Sequence, residues 1–236
     1  SDVSTPSSFS TDSWATIAIA AKSSSYPYQD YPYKVGDTKT INLGSLGTHT
    51  VRIANLSTCS LKSQTACGFV IEFADIISQY SINSNNIGGW PASSMRTYLN
   101  STVYSALPKV LQQSIIKTTV VSSHGSADSS NFTSIDKLYL LSTQEVWGKN
   151  GTSNIIGNYD TAANETRQLD YYADKGVTTS NYSGAIKKYN ETSSFWWLRT
   201  AISNGSSYFF RVDGNGIWYD NNANNTDGVS PAFRIA

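Results

Sequence analysis

The chain has 236 residues, enough for one large domain or two small ones with a real hydrophobic core, which excludes a disulfide-stapled miniprotein. Lys plus Arg number 17 and Asp plus Glu 17, so the net charge is zero, no surplus exists to neutralise phosphates, and nucleic acid is not expected as a partner. Only 14% of residues are charged, against about 25% in ordinary soluble domains, while Ser, Thr and Asn make up 79 of 236.

Neutral hydroxyls and amides must therefore coat the surface, a composition that suits a β-rich protein outside the cell or on a virion. The most apolar stretch, Trp14 to Ala21, is far short of the roughly 20 residues that cross a bilayer, so no membrane span is expected. The first residues lack the basic segment and apolar core of a secretion signal, so any targeting segment is expected upstream or already removed. Residues 1–13 read as an N-terminal arm and 14–236 as one domain, because no linker splits the chain.

Asp12 is placed to cap a helix in which Trp14, Ile17, Ala18 and Ala21 share one face. Tyr26 to Tyr33 repeats Tyr-Pro-Tyr, and its prolines lack the N–H that a central strand needs, so this is expected to be an exposed aromatic loop. Lys39 to Leu43 and Thr48 to Asn55 alternate about the Gly44 to Gly47 turn as a hairpin does, and Phe69 to Phe73 reads as a third strand. Cys59 and Cys67 close a short loop; a disulfide and a pair of free thiols both fit, whereas two thiols alone cannot make a four-ligand zinc site.

Pro91 opens a helix carrying Met95, Tyr98 and Leu99, and Pro108 another with Leu111, Ile115 and Ile116 inward. Leu138 to Leu141 is a buried-strand run, after which Ser142 to Glu145 matches a capping box for a helix bearing Val146 and Trp147. Gly148 to Glu191 is a polar excursion with one helix near Thr166 to Lys175, ended by Gly176. The C-terminal part reads as β: Phe195 to Leu198, Tyr208 to Val212, Ile217 to Tyr219 and Val229 to Ile235, with Asp213 to Gly216 as a hairpin turn. The fold class is therefore α+β, a single domain of short helices, antiparallel or mixed sheet and long irregular loops.

Catalytic chemistry is sparse. Only His49 and His124 are available; His49 reads as a partly buried strand histidine, and His124, among Ser122, Ser123, Ser126 and Asp128, as a turn residue rather than a triad member. No Gly-x-Ser-x-Gly, P-loop or His-Glu-x-x-His occurs, and Tyr219 spoils the dinucleotide-like pattern begun by Gly214 and Gly216. Asp213, Asn215, Asp220 and Asp227 offer oxygen ligands to calcium, but Ile217 breaks EF-hand spacing, so no metal and no other cofactor is expected. Nine Asn-x-Ser/Thr sequons, Asn100, Asn164 and Asn204 among them, follow from the composition.

Four stretches, Gly89 to Asn100, Thr133 to Ser142, Phe195 to Thr200 and Gly228 to Ile235, resemble a domain family from surface proteins of gut Gram-positive bacteria and their phages. The likeness runs from about Tyr33 to the C-terminus, and Trp196-Trp197-Leu198-Arg199 and Gly228-Val229-Ser230-Pro231-Ala232-Phe233 are its most specific parts. Ser230 departs from the Arg usual at that place, which removes a charge beside the terminal strand. Such domains are similar to the C-type-lectin-like variable proteins of diversity-generating retroelements. That resemblance implies a C-type-lectin-like fold and a hypervariable C-terminal segment, 201–227, forming a ligand-binding face.

Composition points the same way. Between Ala201 and Asp227 the chain is dominated by Ser, Asn, Asp, Gly, Tyr, Phe and Trp, with Arg211 its only basic residue, a mixture like that of antibody paratopes. The expected contact residues are Ser203, Asn204, Ser206, Tyr208, Phe210, Asp213, Asn215, Trp218, Tyr219, Asp220, Asn221, Asn222, Asn224 and Asn225, most of them exposed on one side. Trp196, Leu198, Val212, Ile217, Val229 and Phe233 are expected beneath them as core. Arg96, Asp136 and Arg199 invite catalytic roles but are read as a polar network that fixes helix and strand against the loops. The expectation is a non-enzymatic protein that binds a protein or glycan ligand at a bacterial surface or on a phage particle. The rival is a glycan-active hydrolase with a carboxylate pair among Glu72, Asp75, Asp136 and Asp220, which needs two carboxyls about 5 to 10 Å apart lining a cleft.

Overall fold

The computed structural model of the protein describes residues 4–22, 32–58, 65–148 and 154–236. Helix α1 (Trp14–Lys22) buries Trp14, Ile17 and Ala18 as its periodicity predicts. Its cap is Ser13, whose Oγ accepts from the Thr16 amide at 3.1 Å, and not Asp12. Asp12 instead ties the arm down, accepting from the Ser7 and Ser8 amides and from the Tyr33 hydroxyl. The arm therefore packs, with Phe9 buried edge-on against Trp14 and Tyr33. Tyr33 is core rather than exposed loop; the rest of the Tyr-Pro-Tyr repeat lies outside the described residues except Pro32.

The expected hairpin is present as β1 (Thr38–Asn42) and β2 (Thr48–Asn55), followed by β3 (Val70–Phe73). Cys67 is disulfide-bonded; Cys59, the chain's one other cysteine, lies outside the described residues. A short polar strand, β4 (Ser78–Ser81), precedes a helical segment made of α2 (Ser94–Tyr98), a π-helical turn (Leu99–Val103) and α3 (Tyr104–Ala106). Ser93 caps α2, so the helix starts three residues after Pro91. Helix α4 (Lys109–Ser114) follows Pro108, but Ile115 and Ile116 are not helical and form β5 (Ile115–Ile116). The hairpin of β6 (Thr118–Ser122) and β7 (Phe132–Asp136) comes next.

Leu138 to Leu141 is fully buried yet forms no strand: Tyr139 makes a single bridge to Ala232, and the Leu141 carbonyl accepts from the Arg199 amide. The capping box is formed as read and starts α5 (Thr143–Trp147). Helices α6 (Asn154–Tyr159) and α7 (Asp170–Asp174) follow, α7 being shorter than expected. Strands β8 (Lys187–Tyr189) and β9 (Thr192–Ser194) turn through Asn190 and Glu191, both at positive φ. The C-terminal strands are β10 (Trp196–Ala201), β11 (Tyr208–Val212), β12 (Trp218–Asn222), β13 (Thr226–Val229) and β14 (Ala232–Ile235).

Two five-stranded sheets result. The first, β1-β2-β3-β14-β5, is antiparallel; the second, β12-β11-β10-β13-β4, is antiparallel except for the parallel β10–β13 pair. The class is α+β with mixed sheet. Two of the chain's crossings between the sheets, from β3 to β4 and from β13 to β14, are short and lie side by side because β3 pairs with β14 and β4 with β13. At the break Lys187 Nζ donates to Phe73 O at 2.9 Å, and Ser230 Oγ to Asp75 O at 3.0 Å, so carbonyls freed by the bend find donors. Strand β10 is buried along its whole length, which makes both Trp196 and Trp197 core.

Candidate functional site

Register places one row of side chains across the second sheet. Tyr219 faces Arg211, Arg211 faces Trp197, and Asp227 faces Tyr80. The parallel pairing of Trp196 with Gly228 puts Trp197 and Asp227 on a common side. The Arg211 guanidinium lies 3.9 Å from the Phe195 ring centroid and 5.2 Å from that of Tyr219, and its Nη1 donates to Asp227 Oδ2 at 2.8 Å. Asn221 Nδ2 donates to the same oxygen at 2.8 Å, and Asn225 Nδ2 to Asn221 Oδ1 at 2.7 Å. The pair Arg211–Asp227 is nearly buried, so each ion depends on the other.

Three aromatic rings stay open on this row: Tyr219 is 53% exposed, Phe195 38% and Tyr80 38%. Tyr80 stacks in parallel on Tyr98 with centroids 4.1 Å apart, and Tyr98 shares a 2.8 Å hydrogen bond with Ser78. Beside Tyr80 opens a cleft of about 480 Å³ lined by neutral groups, among them Gln79, Asn83, Ser84, Asn224 and Thr226. The arrangement offers flat apolar rings at fixed heights and a border of amides and hydroxyls, which is the chemistry of recognition rather than of proton transfer.

Strand alternation divides the expected contact residues. Tyr219 and Asn221 belong to the row above, whereas Trp218, Asp220, Asn222 and Tyr208 share the other side with Phe210. The expectation of one common exposed side is therefore corrected. Phe210 is buried and holds Trp218 edge-on at 6.1 Å, so it supports the surface from below; Trp218 is half-buried. Asn204, Asn215, Asn222, Asn224 and Asn225 are exposed. Asp213 is spent on its own turn, its Oδ1 accepting from the amides of Asn215 and Ile217. Ser203 and Ser206 are partly covered in the β10–β11 loop. Of the expected core, Ile217 is only half-buried, because it sits at the hairpin turn; the other five are fully buried.

Four residues of this face escaped sequence reasoning. Tyr80 lies on a strand too polar to read, and Phe195 reads from the sequence only as the first residue of a strand. Asn86 is fully buried and donates to the carbonyls of Ile202, Gly205 and Tyr208, which shapes the β10–β11 loop. Asp227 was weighed only as a metal ligand, yet it is the counter-ion of Arg211, whose status as the one cation of its segment was the usable signal.

The fully buried charged groups elsewhere are structural. Glu72 is fully buried, taking Arg52 Nε at 2.8 Å, the Tyr172 hydroxyl at 2.8 Å and Lys187 Nζ at 3.4 Å. Burial pushes its pKa up, but Lys187 and Arg52 outweigh that and hold it below the usual carboxylate value. Burial lowers Lys187 to about 8 in spite of Glu72. At Ser230, where the resemblance expects Arg, the Lys187 ammonium stands 2.8 Å from the hydroxyl, so a cation reaches this place from β8. Arg199 pairs with Glu145 and donates to the carbonyls of Leu140 and Val121, and Arg96 pairs with Asp136, as a structural network does.

His49 lies between Asp75 Oδ2 at 2.8 Å and the Leu46 carbonyl at 2.6 Å. His124 Nδ1 faces only the Gly125 carbonyl, while Ser123 donates to Ala201 O and Asp128 accepts from Gly88, so no triad forms among them. Among the described residues no group of three metal-ligating side chains is brought together. No helix there is long and apolar enough to cross a membrane.

No curated protein and no solved structure matches the chain. Residues 69–236, which include the two adjacent short crossings between the sheets and the whole aromatic row, match the domain of unknown function DUF6273, and the chain belongs to that family.

Proposed function

We propose that this is a non-enzymatic ligand-binding domain whose binding face is the Tyr219–Arg211–Asp227–Tyr80 row with the neutral cleft beside it. The observation that carries the reading is three half-open aromatic rings on one sheet face, braced by a nearly buried ion pair. A protein or glycan ligand fits such a face, since rigid rings give contact area at low entropic cost and amides adapt their hydrogen bonds. The disulfide at Cys67 agrees with an oxidising, extracellular setting on a bacterial surface or phage particle. The hydrolase reading is weaker: Glu72 and Asp136 are consumed by buried partners, and neither the neutral cleft nor the cleft at Asp136 is lined by two carboxylates.

Immobilised panels of bacterial and host glycans and surface proteins, probed with the intact domain, test the assignment. Tyr219→Ala should weaken any captured interaction by roughly tenfold or more, while Tyr208→Ala, on the opposite side, should leave it within about twofold. The reverse order would place the site on the other face. The finer proposal, a C-type-lectin-like fold with segment 201–227 diversified by a retroelement, has a genomic test. It requires a nearby near-copy of the DNA for Ala201 to Ile235, differing chiefly at adenines, beside a reverse transcriptase gene.

A further inference from the structure

The helical segment 94–106 separates the neutral cleft from a second one of different chemistry. Ser94 borders the former; Arg96, Thr97, Ser101 and Tyr104 line the latter, an open cleft of about 420 Å³ whose far wall carries Lys117, Ile135 and Lys137. Its size is at the lower end of the roughly 300–1,000 Å³ typical of small-molecule sites.

Three cations converge there against one carboxylate, in a chain whose charges balance as a whole. That carboxylate is already committed. Asp136 Oδ1 takes Arg96 Nε at 2.5 Å, and Oδ2 takes Trp90 Nε1 at 2.9 Å and Ser134 Oγ at 2.8 Å. Arg96 is thereby fixed at the wall while about a third of its side chain stays open. Lys117 and Lys137 have no carboxylate within ion-pair distance among the described residues. Lys137 Nζ donates to the Tyr104 hydroxyl at 2.9 Å, which in turn donates to the Gln112 carbonyl, so the ammonium is positioned but not neutralised.

The same wall leaves Ile135 62% exposed, the most open of the large apolar side chains among the described residues. An occupant must therefore combine an oxyanion with a compact apolar face, and the hydroxyls of Thr97 and Ser101 suit a partner bearing hydroxyls of its own. We infer that this cleft binds an acidic sugar unit, a ring-sized saccharide carrying a carboxylate or sulfate. Its oxyanion is taken by Lys117, Lys137 and Arg96, and its C–H face lies against Ile135. The site is independent of the aromatic face proposed above.

Amide NMR titration of the intact domain tests this with glucuronic acid, galactose 6-sulfate, glucose, sodium sulfate and a Glu-containing tripeptide, at about 20 and about 200 mM salt. Saturable shifts within residues 96–104 and 135–137 are expected with the two acidic sugars, weaker at the higher salt. Lys117→Ala/Lys137→Ala should reduce that affinity at least tenfold with the melting midpoint unchanged; if the midpoint falls, Lys117→Ala alone, at an exposed side chain, should still reduce it at least threefold. No shifts, equal shifts with glucose, or unaltered binding by the variants would overturn the site. Sulfate or the tripeptide binding as tightly as the acidic sugars would overturn the sugar assignment.

Discussion

Replacing Glu72 by Gln keeps the shape of the side chain but removes the one anion that faces both Arg52 and Lys187. Arg52 sits against Glu72 with its guanidinium 3.8 Å from the Tyr171 ring, and Lys187 is fully buried 4.1 Å from the Trp196 ring, so neither can turn to water. Breaking a buried pair from one side costs about 3–5 kcal/mol, and because two cations are stranded here the upper half of that range is expected. For a chain of this length that lowers the melting midpoint by roughly 10–15 °C. Lys187→Met removes a cation and costs about 1–3 kcal/mol through the lost hydrogen bonds to Phe73 and Ser230. In the double variant the repulsion is gone, so its cost should fall short of the sum by about 1–2 kcal/mol. Urea unfolding at pH 7, followed by far-ultraviolet circular dichroism, measures all three. A Glu72→Gln cost below about 1 kcal/mol, or strict additivity, would refute the account of this network.

The Lys187 pKa of about 8 carries a sign. Below it the folded state holds a charge that burial disfavours; between about 8 and 10.5 the folded lysine is neutral while the unfolded one remains charged, so its contribution to stability rises with pH. The stability gap between the wild type and Lys187→Met should therefore widen from pH 7.5 to 9.5, and a gap that narrows would contradict the assignment. Gly216 has φ +94°, and a Cβ there would stand 2.0 Å from the Tyr182 carbonyl oxygen; Gly44, at φ +60°, has no atom within 4 Å. Gly216→Ala should thus cost about 3 kcal/mol or more and Gly44→Ala about 1 kcal/mol in the same unfolding assay, and equal costs would show that the turn relaxes.

Local signals in the sequence were sufficient wherever one segment alone sets the outcome. The hairpin about Gly44 to Gly47, the capping box at Ser142 to Glu145 and the turn at Asp213 to Gly216 are written in adjacent residues, since caps and turns close hydrogen bonds over three or four positions. The composition of 201–227 likewise marks a surface of aromatic and amide groups without any knowledge of the fold. Ile115 and Ile116 show the limit: they continue a helical apolar pattern, yet pairing with Ile235 and Arg234, 120 and 118 positions further on, makes them strand, because ladder hydrogen bonds to a distant partner outweigh local propensity.

The binding face needed more than the segment. Alternation alone sends Tyr219 and Trp218 to opposite sides, but which of them joins the face was decided by the register of β12 on β11, and a shift of one residue would have exchanged them. Tyr80 and Asp227 reach the face only because β13 is parallel to β10 and carries β4 beside it, a crossover that no periodicity encodes. The cationic cleft has the same origin: Arg96, Lys117 and Lys137 are ordinary charges in the sequence, and packing the helix against the β6–β7 hairpin is what gathers them around a carboxylate already engaged. Residue types and their short-range spacing thus determined the elements and the character of the surface. Tertiary pairing decided which side chains meet, because hydrogen-bond register and burial join residues that the chain itself keeps far apart.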